Sequence, residues 1–421
     1  MTDRCYPHAF IKTTSIKFST VYILYLMSRY HSYINSSTNL IASYKGEQPF
    51  AIFIKNFFSQ EKKYGSSDRR QIAALCYNYF RLGFAVKSAS AEERIIIATF
   101  LCEQKPSTFL GHIQPEWNKL IHLPLNDKLI LVKDTFSLTQ IFPFKNVLSE
   151  TISLETYCQA MLMQPFLFLR IRPQCRVTTL KKLKKSQLPH QLLKGNCIEL
   201  PTATNIADFF IVDKEVVVQD YNSQQVLDYL RLHEPSLFPS TQQTPVLAVW
   251  DCCAASGGKS ILLHDTLKAK ISLTVSDIRL NIMLNLHQRF KRANIKEYAY
   301  FIEDSSDIHT KPPAAQYQLI ICDAPCTGSG TWGRTPEQVC FFKEAAIKQY
   351  SERQKRIVEN VSLQLMPGGV FVYITCSVFK EENEAIANFI QHNLGLNLLN
   401  QQLLKGFDKR ADTMFVAIFK K

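Results

Sequence analysis

The chain has 421 residues and carries 49 lysines and arginines against 36 aspartates and glutamates, a formal net charge of +13 at pH 7. Its 46% of hydrophobic residues is typical of a globular protein, and its length allows two or three domains with cores of their own. The positive charge favours a polyanionic partner, RNA or DNA before a membrane, although charge alone does not exclude a merely solvated basic surface.

The twelve cysteines predict neither a disulfide framework nor a metal site. The sequence contains no C-x-x-C pair, and the adjacent Cys252 and Cys253 cannot easily share a metal. The longest early apolar run, Val21 to Met27, is too short to span a bilayer and lacks a small-residue cleavage site after it. We therefore predict a reduced, cytoplasmic protein that binds no metal.

The first third of the chain is predicted to be helical. Residues 1–20 mix polar and aromatic residues without a period and are expected to form a loose extension. Residues 21–140 are expected to form an α-helical domain, because apolar residues recur at helical spacing. Three segments carry this pattern most clearly: Asp68 to Phe84, Ala91 to Leu101 and Asn126 to Leu131.

Residues 141–215 are predicted to contain a connecting helix and a small α+β module. The helix is expected over 141–163, and the alternating segment PFLFLRIRP at 165–173 predicts a strand. A basic helix follows at 177–188, with short strands expected at 197–200 and 209–212. Its lysines, Lys181, Lys182, Lys184 and Lys185, form either a solvated face or a contact for nucleic acid, and both interpretations stay open.

Residues 216–421 have the pattern of a doubly wound α/β domain. VVVQDYNSQQVLDYL at 216–230 passes from a strand to a helix, and from Pro245 onward strands and helices alternate. Helices are expected at 279–293, 337–365 and 380–393, with Pro367-Gly368-Gly369 ending the second of them. Strands are expected at 246–251, 271–277, 299–304, 317–323, 369–375 and 414–419.

Ligands of such sheets bind outside the carboxyl ends of the strands, so the residues at those ends carry the functional prediction. The first strand runs into a small-residue turn and a helix N-terminus, from Asp251 to Lys259, which favours a nucleotide-like ligand although it matches neither G-x-G-x-x-G nor a P-loop. The next four strands end at residues of use in chemistry: Asp277, Asp304, Asp323 with Cys326, and Cys376.

Each of these residues has an ordinary structural explanation when it is taken alone. An aspartate at a strand end is usually a helix N-cap, and a cysteine in a strand is usually part of the core. Five successive strands that all end in such residues favour a functional site. Cys326 and Cys376 matter most, because they follow strands that are neighbours in this topology.

At this point the chain resembles a known family. The segments DCCAASGGKS, SDIRLNIMLNLHQRF, DAPCTGSG and ITCSVFKEENE are similar to motifs of the Sun-type (Fmu-type) RNA cytosine-5 methyltransferases. The resemblance covers about residues 150–421. It implies a Rossmann-like domain with a mostly parallel seven-stranded sheet over 216–421 and an RNA-recognition-like module within 141–215. The N-terminal helices resemble, weakly, the NusB-like domain of the ribosomal-RNA members.

The resemblance also implies a cofactor, S-adenosylmethionine, and a role for each motif residue. Cys376 would attack carbon 6 of cytosine, Cys326 would assist release, Asp323 would bind the base, and Lys259 would either lower a cysteine pKa or orient Asp323. Asp277 would hold the ribose and Asp304 the adenine. Ser256 stands where the family commonly has proline, which favours a lower cofactor affinity. The turn residues that would contact the cofactor are Cys253, Ala254, Ala255, Ser256, Gly257, Gly258 and Lys259.

The sequence therefore predicts a monomeric enzyme that methylates carbon 5 of a cytosine in RNA, with 16S ribosomal RNA as the main expectation. Transfer RNA is the alternative substrate for the same chemistry. A DNA cytosine methyltransferase would be expected to have Pro-Cys-Gln, whereas Thr327 follows Pro325-Cys326 here. A non-catalytic RNA-binding or ribosome-assembly factor that kept the fold is the alternative from a different class.

Overall fold

The computed structural model describes residues 29–238, 245–268, 270–307, 309 and 316–421. The predicted extension 1–20, the apolar run Val21 to Met27 and the first residues of the predicted helical domain lie outside these residues. Among the helices of the described residues, none is both long enough and apolar enough to cross a membrane.

Eight helices of the described residues come before the first strand, in agreement with the predicted helical start of the chain. The helix at Ser66–Arg81 shows why: Ile72, Leu75 and Cys76 are buried along one face, while Asp68 lies in the first turn and Arg81 in the last. The described helices are α1 Arg29–Ser43, α2 Phe50–Gln60, α3 Ser66–Arg81, α4 Ala91–Cys102, α5 Thr108–Ile113, α6 Pro115–Lys119, α7 Leu125–Leu131, α8 Leu154–Met161, α9 Arg176–Ser186, α10 Tyr221–His233, α11 Gly258–Thr266, α12 Leu280–Ala293, α13 Glu337–Phe341, α14 Ala345–Ser362 and α15 Glu384–Asn393.

The strands form two sheets. Four strands form a small antiparallel sheet in the order β2-β3-β1-β4, and seven form a larger one in the order β10-β11-β9-β8-β5-β6-β7. The described strands are β1 Leu167–Ile171, β2 Gln191–Leu193, β3 Cys197–Leu200, β4 Val216–Val218, β5 Leu247–Asp251, β6 Ile271–Asp277, β7 Ala299–Ile302, β8 Tyr317–Asp323, β9 Leu365–Thr375, β10 Asn397–Leu404 and β11 Met414–Lys420.

The larger sheet is the predicted α/β sheet. Strands β5 to β9 are parallel, and β10 and β11 extend the sheet in the antiparallel sense. Strand β8 is buried on both faces, which explains its continuous apolar sequence. Ile320 and Cys322 face a core that continues into the N-terminal helices, whereas Leu319 and Ile321 face a second core under α10, α11 and α12. The chain is thus a Rossmann-like α/β protein with an N-terminal helical region.

The small sheet and α9 have a core of their own around Leu169, Leu183 and Ile198. The predicted strand at 165–173 and the predicted basic helix at 177–188 are both present, as β1 and α9. The predicted strand at 209–212 is wrong, because Val212 makes only a single bridge to Val216 and the chain turns at Asp213, which has a φ of +66°. The domain boundaries at residues 20, 140 and 215 stay predictions.

The predicted helix over 141–163 is also wrong for most of its length. Only α8 is α-helical, since Pro143 interrupts the segment, Lys145–Val147 is a single 3-10 turn, and Leu148 is extended and bridges Phe379 in the chain that follows β9. The N–H of Ser149 donates to the carbonyl of Val378 at 2.9 Å, and that of Lys380 donates to the carbonyl of Val147 at 3.0 Å. This connection joins the helical region to the edge of the sheet where the candidate site lies.

The predicted helix over 337–365 is two helices, α13 and α14, separated at Phe342. The backbone of Phe342 is extended, with a ψ of 136°, and the ring of Phe342 packs against Phe142, Trp332 and Phe379. Pro367-Gly368-Gly369 does not end the second helix, which stops earlier, at Ser362. Those three residues lie within β9.

One buried carboxylate joins the small sheet to α11, a helix that packs on the larger sheet. Asp265 on α11 accepts hydrogen bonds from Arg170 Nη1 and Arg172 Nη2, each at 2.6 Å. The exposed fractions of the three side chains are 3%, 5% and 2%. Loss of the carboxylate would leave two guanidinium groups buried without their counter-charge.

Replacement of Asp265 by alanine should lower the free energy of unfolding by about 3–5 kcal/mol, because it breaks a buried ionic group on one side only. Urea denaturation measures the change. Glu116→Ala is the matched control, since the pair of Glu116 with Lys119 is exposed and should leave stability nearly unchanged. Equal denaturation midpoints for the two variants would contradict this account of Asp265.

Candidate active site

A cavity of about 380 Å³ opens at the carboxyl edge of the larger sheet. Its lining comes from the ends of β5, β6, β7, β8 and β9 and from one face of α14. Seven of the residues predicted from the sequence line it: Cys253, Ala255, Asp277, Asp304, Asp323, Cys326 and Cys376. The ends of parallel strands thus bring together residues that are up to 123 positions apart in the chain.

The turn between β5 and α11 has a special backbone. Ala255 and Gly257 both have positive φ, +46° and +81°. A Cβ on Gly257 would lie 2.6 Å from Cε1 of Phe290, so both the dihedral angle and the space require glycine there. The turn therefore starts α11 directly beside the cavity, as predicted.

Ser256, which stands where proline was expected, has a hydrogen-bonding role. Arg289 Nη1 donates to both the carbonyl and the hydroxyl of Ser256, at 3.0 Å each, and the same arginine pairs with the buried Asp213 at 2.9 Å. A proline would keep the first of these bonds and lose the second. The hydroxyl of Ser256 thus holds the turn in place by its hydrogen bond from Arg289 of α12.

Asp277, at the end of β6, accepts hydrogen bonds from two backbone N–H groups and from the guanidinium group of Arg279. Its Oδ1 accepts from the backbone N–H of Arg279 at 3.0 Å, and its Oδ2 accepts from the N–H of Ala255 at 3.0 Å. Burial tends to raise the pKa of Asp277, but these bonds and the Arg279 guanidinium outweigh burial and lower it. Asp277 is therefore ionised at neutral pH. Arg279, which is not among the site residues predicted from the sequence, lines the same cavity.

Asp304, beyond the end of β7, lines the same cavity. Its Oδ1 accepts from the N–H and the hydroxyl of Ser306, at 2.9 and 2.6 Å, and Arg353 of α14 lies 3.6 Å from the same oxygen. Burial acts to raise the pKa of Asp304, and the bonds from Ser306 with the charge of Arg353 lower it overall. Arg353 lines the cavity and was not predicted from the sequence.

Lys259 and Asp323 form an ion pair at the base of the site. Lys259 Nζ lies 3.0 Å from Asp323 Oδ2 and donates to the hydroxyl of Ser223 at 2.8 Å. The exposed fraction of the lysine side chain is 9%, and that of the aspartate is 30%. Of the two predicted roles of Lys259, the geometry fits the one that orients Asp323.

Cys326 and Cys376 face each other across the ends of β8 and β9. Their Sγ atoms are 3.4 Å apart, and both side chains are half-buried in the cavity wall. The contact with Cys376 is the main cause that raises the pKa of Cys326, with burial adding to it. Cys326 therefore keeps its proton at neutral pH and can donate it in a hydrogen bond to the sulfur of Cys376.

Glu382 binds both the loop after β8, which contains Cys326, and the loop after β9, which contains Cys376. It is fully buried, and its carboxylate accepts from the N–H of Thr327 at 2.8 Å, from the Thr327 hydroxyl at 2.6 Å and from the Ser377 hydroxyl. Thr327 follows Cys326 and Ser377 follows Cys376, so one carboxyl group holds both loops. Burial raises the pKa of Glu382, and its hydrogen bonds oppose that rise. The only sequence signal for this residue was its place in the EENE segment.

Gly330 brings a third segment to the same place. Its N–H donates to the carbonyl of Cys376 at 2.8 Å, and its own carbonyl accepts from the N–H of Thr413 at 2.9 Å. A Cβ at position 330 would lie 2.1 Å from the carbonyl oxygen of Thr413. The loop after β8 therefore packs directly between Cys376 and the start of β11.

The other predicted turn residues are close to the cavity without forming its surface. Within the described part of the chain, the cavity lining does not include Ala254, Ser256, Gly257, Gly258 or Lys259. Their contacts with a cofactor stay predictions, as do the absence of a metal, the monomeric state and the cytoplasmic location.

Comparison with known proteins finds relatives for the C-terminal part of the chain. Residues 236–415 match the family model described as 16S rRNA methyltransferase RsmB/F, which confirms the predicted resemblance over this segment. The ribosomal RNA small subunit methyltransferase B of Xylella fastidiosa is 28% identical over 170 residues, 40% of this chain and 37% of that protein. The methyltransferase F of Vibrio campbellii is 24% identical over 232 residues, 53% of this chain and 48% of that protein.

Both alignments thus span less than half of the curated relatives. The crystal structure of the protein PH0851 covers 92% of this chain and 98% of its own, with a TM-score of 0.67 and 18% sequence identity. At that identity the likeness shows the fold alone, and it extends over the helical region and both sheets.

Mild oxidation of the reduced protein should join Cys326 to Cys376, because their sulfurs need to approach by little more than 1 Å to reach a disulfide length of about 2.05 Å. Diamide takes up the two thiol hydrogens, and mass spectrometry of a non-reduced digest identifies the linked peptides.

Glu382→Ala should lower the yield of this disulfide, because it removes the carboxyl group that binds both loops. Cys340→Ser is the control: Cys340 lies outside the cavity, so its replacement should leave the yield unchanged. If the parent protein gives no 326–376 peptide, the two sulfurs are not neighbours in solution.

Proposed function

We propose that the chain, whose residues 236–415 match a ribosomal-RNA methyltransferase family, transfers a methyl group from S-adenosylmethionine to carbon 5 of a cytosine in RNA. The observation that carries this proposal is the pair Cys326 and Cys376, with sulfurs 3.4 Å apart in a cavity that also contains Asp277, Asp304 and Asp323. One thiol to attack the base and a second to assist release is the arrangement that this chemistry requires.

The cavity suits the proposed cofactor. Its volume of about 380 Å³ lies in the range of small-molecule sites, about 300–1,000 Å³. Asp277 ends the strand next to the first strand of the α/β core and is ionised, which suits it to accept hydrogen bonds from both hydroxyls of a ribose. Asp304 lies at the end of the following strand, within reach of an adenine. When bound, S-adenosylmethionine supplies an electrophilic methyl group on a sulfonium centre.

Cys376 is the proposed nucleophile. Its thiolate adds to carbon 6 of cytosine, and the electron pair of the carbon 5–carbon 6 double bond moves to carbon 5. Carbon 5 would then take the methyl group, while the electron pair of the sulfur–methyl bond stays on sulfur and S-adenosylhomocysteine leaves. Cys326, which holds its proton, donates a hydrogen bond to the sulfur of Cys376 and so stabilises the thiolate before attack.

Cys326 is the proposed base for release. Once the sulfur of Cys376 is bonded to carbon, the main cause that raises the pKa of Cys326 is gone, and Cys326 becomes a stronger candidate for ionisation. Its own proton passes to solvent, and the thiolate so formed takes the proton from carbon 5. The electron pair re-forms the double bond, and the bond between carbon 6 and Cys376 breaks to return the thiolate.

Asp323 is proposed to bind the cytosine. Its carboxylate lines the cavity beside both cysteines and is positioned by Lys259 and, through it, by Ser223. It would accept a hydrogen bond from the exocyclic amine and share the proton that N3 gains when carbon 6 is attacked. Lys259 acts through Asp323 and is therefore a positioning residue.

The proposed substrate is ribosomal RNA. The net charge of +13 supports a polyanionic partner, and Lys181, Lys184 and Lys185 of α9 are exposed on the small sheet's side of the molecule. The family model that matches residues 236–415 is described by 16S rRNA. Transfer RNA remains the alternative substrate for the same chemistry.

Cys376→Ala should reduce methyl transfer from labelled S-adenosylmethionine to RNA by at least about 1,000-fold, the scale seen when a covalent nucleophile is removed. Cys326→Ala should instead accumulate a covalent protein–RNA adduct, because it blocks release and not attack. A denaturing gel detects the adduct, and Cys340→Ala is the control cysteine.

An adduct formed by Cys376→Ala and not by Cys326→Ala would reverse the two roles. If the parent protein transfers no methyl group to total RNA, which contains both ribosomal RNA and tRNA, the chain is an RNA-binding factor and not a methyltransferase.

Lys259→Met should lower kcat for methyl transfer by about 100-fold, because the carboxylate that stabilises the reacting base loses its fixed orientation. RNA affinity should change little, and Lys259→Arg should restore part of the rate. Lys348→Met removes an exposed lysine and serves as the control. A Lys259→Met protein with the kcat of the parent would contradict the positioning role.

A further inference from the structure

Three thiols other than the Cys326–Cys376 pair meet at the end of β5. Cys252 and Cys253 follow β5 directly, and Cys322 is the last residue but one of the neighbouring β8. The N–H of Cys252 donates to the carbonyl of Ile321 at 3.0 Å, so the parallel pairing continues to this point. The three Sγ atoms all lie within 4.8 Å of one another.

We infer that Cys252, Cys253 and Cys322 form a binding site for one thiophilic d¹⁰ cation, Zn²⁺ or Cu⁺. Thiolates are the ligands that select these cations. A cation about 2.3 Å from each of three sulfurs holds the sulfurs about 4 Å apart. The cluster therefore has the spacing of a three-sulfur site without rearrangement of the sheet.

The site has a closed side and an open side. Cys252 and Cys322 are 1% and 0% exposed and belong to the core between the sheet and α14. Cys252 and Cys253 also line the large cavity, which provides a route for the ion. A water molecule from the cavity can complete four-coordination for Zn²⁺, whereas Cu⁺ is satisfied by three sulfurs.

The hydrogen bonds of the cluster fit this site. Cys252 and Cys322 both donate to Cys253, which lowers the pKa of Cys253, while the pKa values of the two donors are raised. A bound cation displaces thiol protons to solvent, so binding strengthens as pH rises.

Neighbouring carboxylates add to the attraction. Asp277 and Asp323 are close enough to Cys253 to raise its pKa by their negative charge, and a cation at the sulfurs gains from that same charge. Asp277 and Asp323 also line the cavity, so the ion would approach through a negative entrance.

The prediction of no metal was based on spacing along the chain. The adjacent pair Cys252 and Cys253 offers no third ligand nearby in sequence, and Cys322 reaches them only because β8 lies beside β5. None of the three sulfurs of this site belongs to the reacting pair, but Cys252 and Cys253 line the cavity proposed for S-adenosylmethionine, so a bound cation and the cofactor would be neighbours.

Cadmium titration of the full-length chain tests the site. The protein should carry Cys326→Ser and Cys376→Ser, which remove the other two thiols of the cavity, and should be reduced and metal-free. Cd²⁺ should bind one per chain, with the ultraviolet charge-transfer absorbance of three thiolates. Cys322→Ala should weaken this binding by more than about 100-fold, beyond the 10–100-fold typical of a lost outer-shell partner.

Cys158→Ala is the matched control, because Cys158 is fully buried and outside the cluster. If Cys322→Ala does not fold, alkylation of Cys253 in the protein that keeps all three thiols decides the question. One equivalent of Cd²⁺ should protect Cys253 from iodoacetamide, as read by mass spectrometry, and Mg²⁺ should not.

Equal cadmium affinity with and without Cys322, or an unprotected Cys253, would overturn the proposal. Parallel titrations with Zn²⁺, and with Cu⁺ under anaerobic conditions, show which cation binds more tightly. Because the readouts are absorbance and alkylation, a failure of methyl transfer leaves this test unaffected.

Discussion

The parallel pairing of β8 with β9 is the constraint on which the candidate site depends. The pairing continues to Asp323 and Ile374 at the carboxyl edge, so both strands release their chains at the same place and in the same direction. Cys326 follows the last residue of β8 by three positions and Cys376 directly follows the last residue of β9, close enough that neither loop has freedom to diverge. The buried carboxyl of Glu382 completes this arrangement by accepting from both loops.

Buried charge positions the rest of the molecule around that pair. The carboxylate of Asp265 joins the small sheet to α11, and Asp213 joins the same region to Arg289, which in turn holds the turn after β5. The basic helix α9 is therefore fixed relative to the cavity. Under the proposed function, in which one base of a long polyanion meets the two sulfurs, a fixed distance between backbone contacts and the reacting atoms is a physical requirement.

The larger sheet was predictable because its central strands are apolar on both faces and end in turn residues. Strand β10, with the sequence NLLNQQLL, was missed, since an edge strand with a solvated face has mixed composition. The helical break at Phe342 was missed because an aromatic cluster from three distant segments causes it. Likewise, motif resemblance identified Cys326, Cys376 and Asp323, whereas the contacts of Arg353 and Glu382 exist only in the folded chain.

Gly330 leaves Cys376, the proposed nucleophile, little room to move. Its backbone is clasped by the carbonyl of Cys376 on one side and the N–H of Thr413 on the other, with no space for even a methyl group. Thr413 immediately precedes β11, the strand between β9 and β10. A disturbance that lifts the start of that strand is thus transmitted through a single peptide unit to Cys376. Fraying at the start of β11 would therefore move the proposed nucleophile before the fold itself is lost.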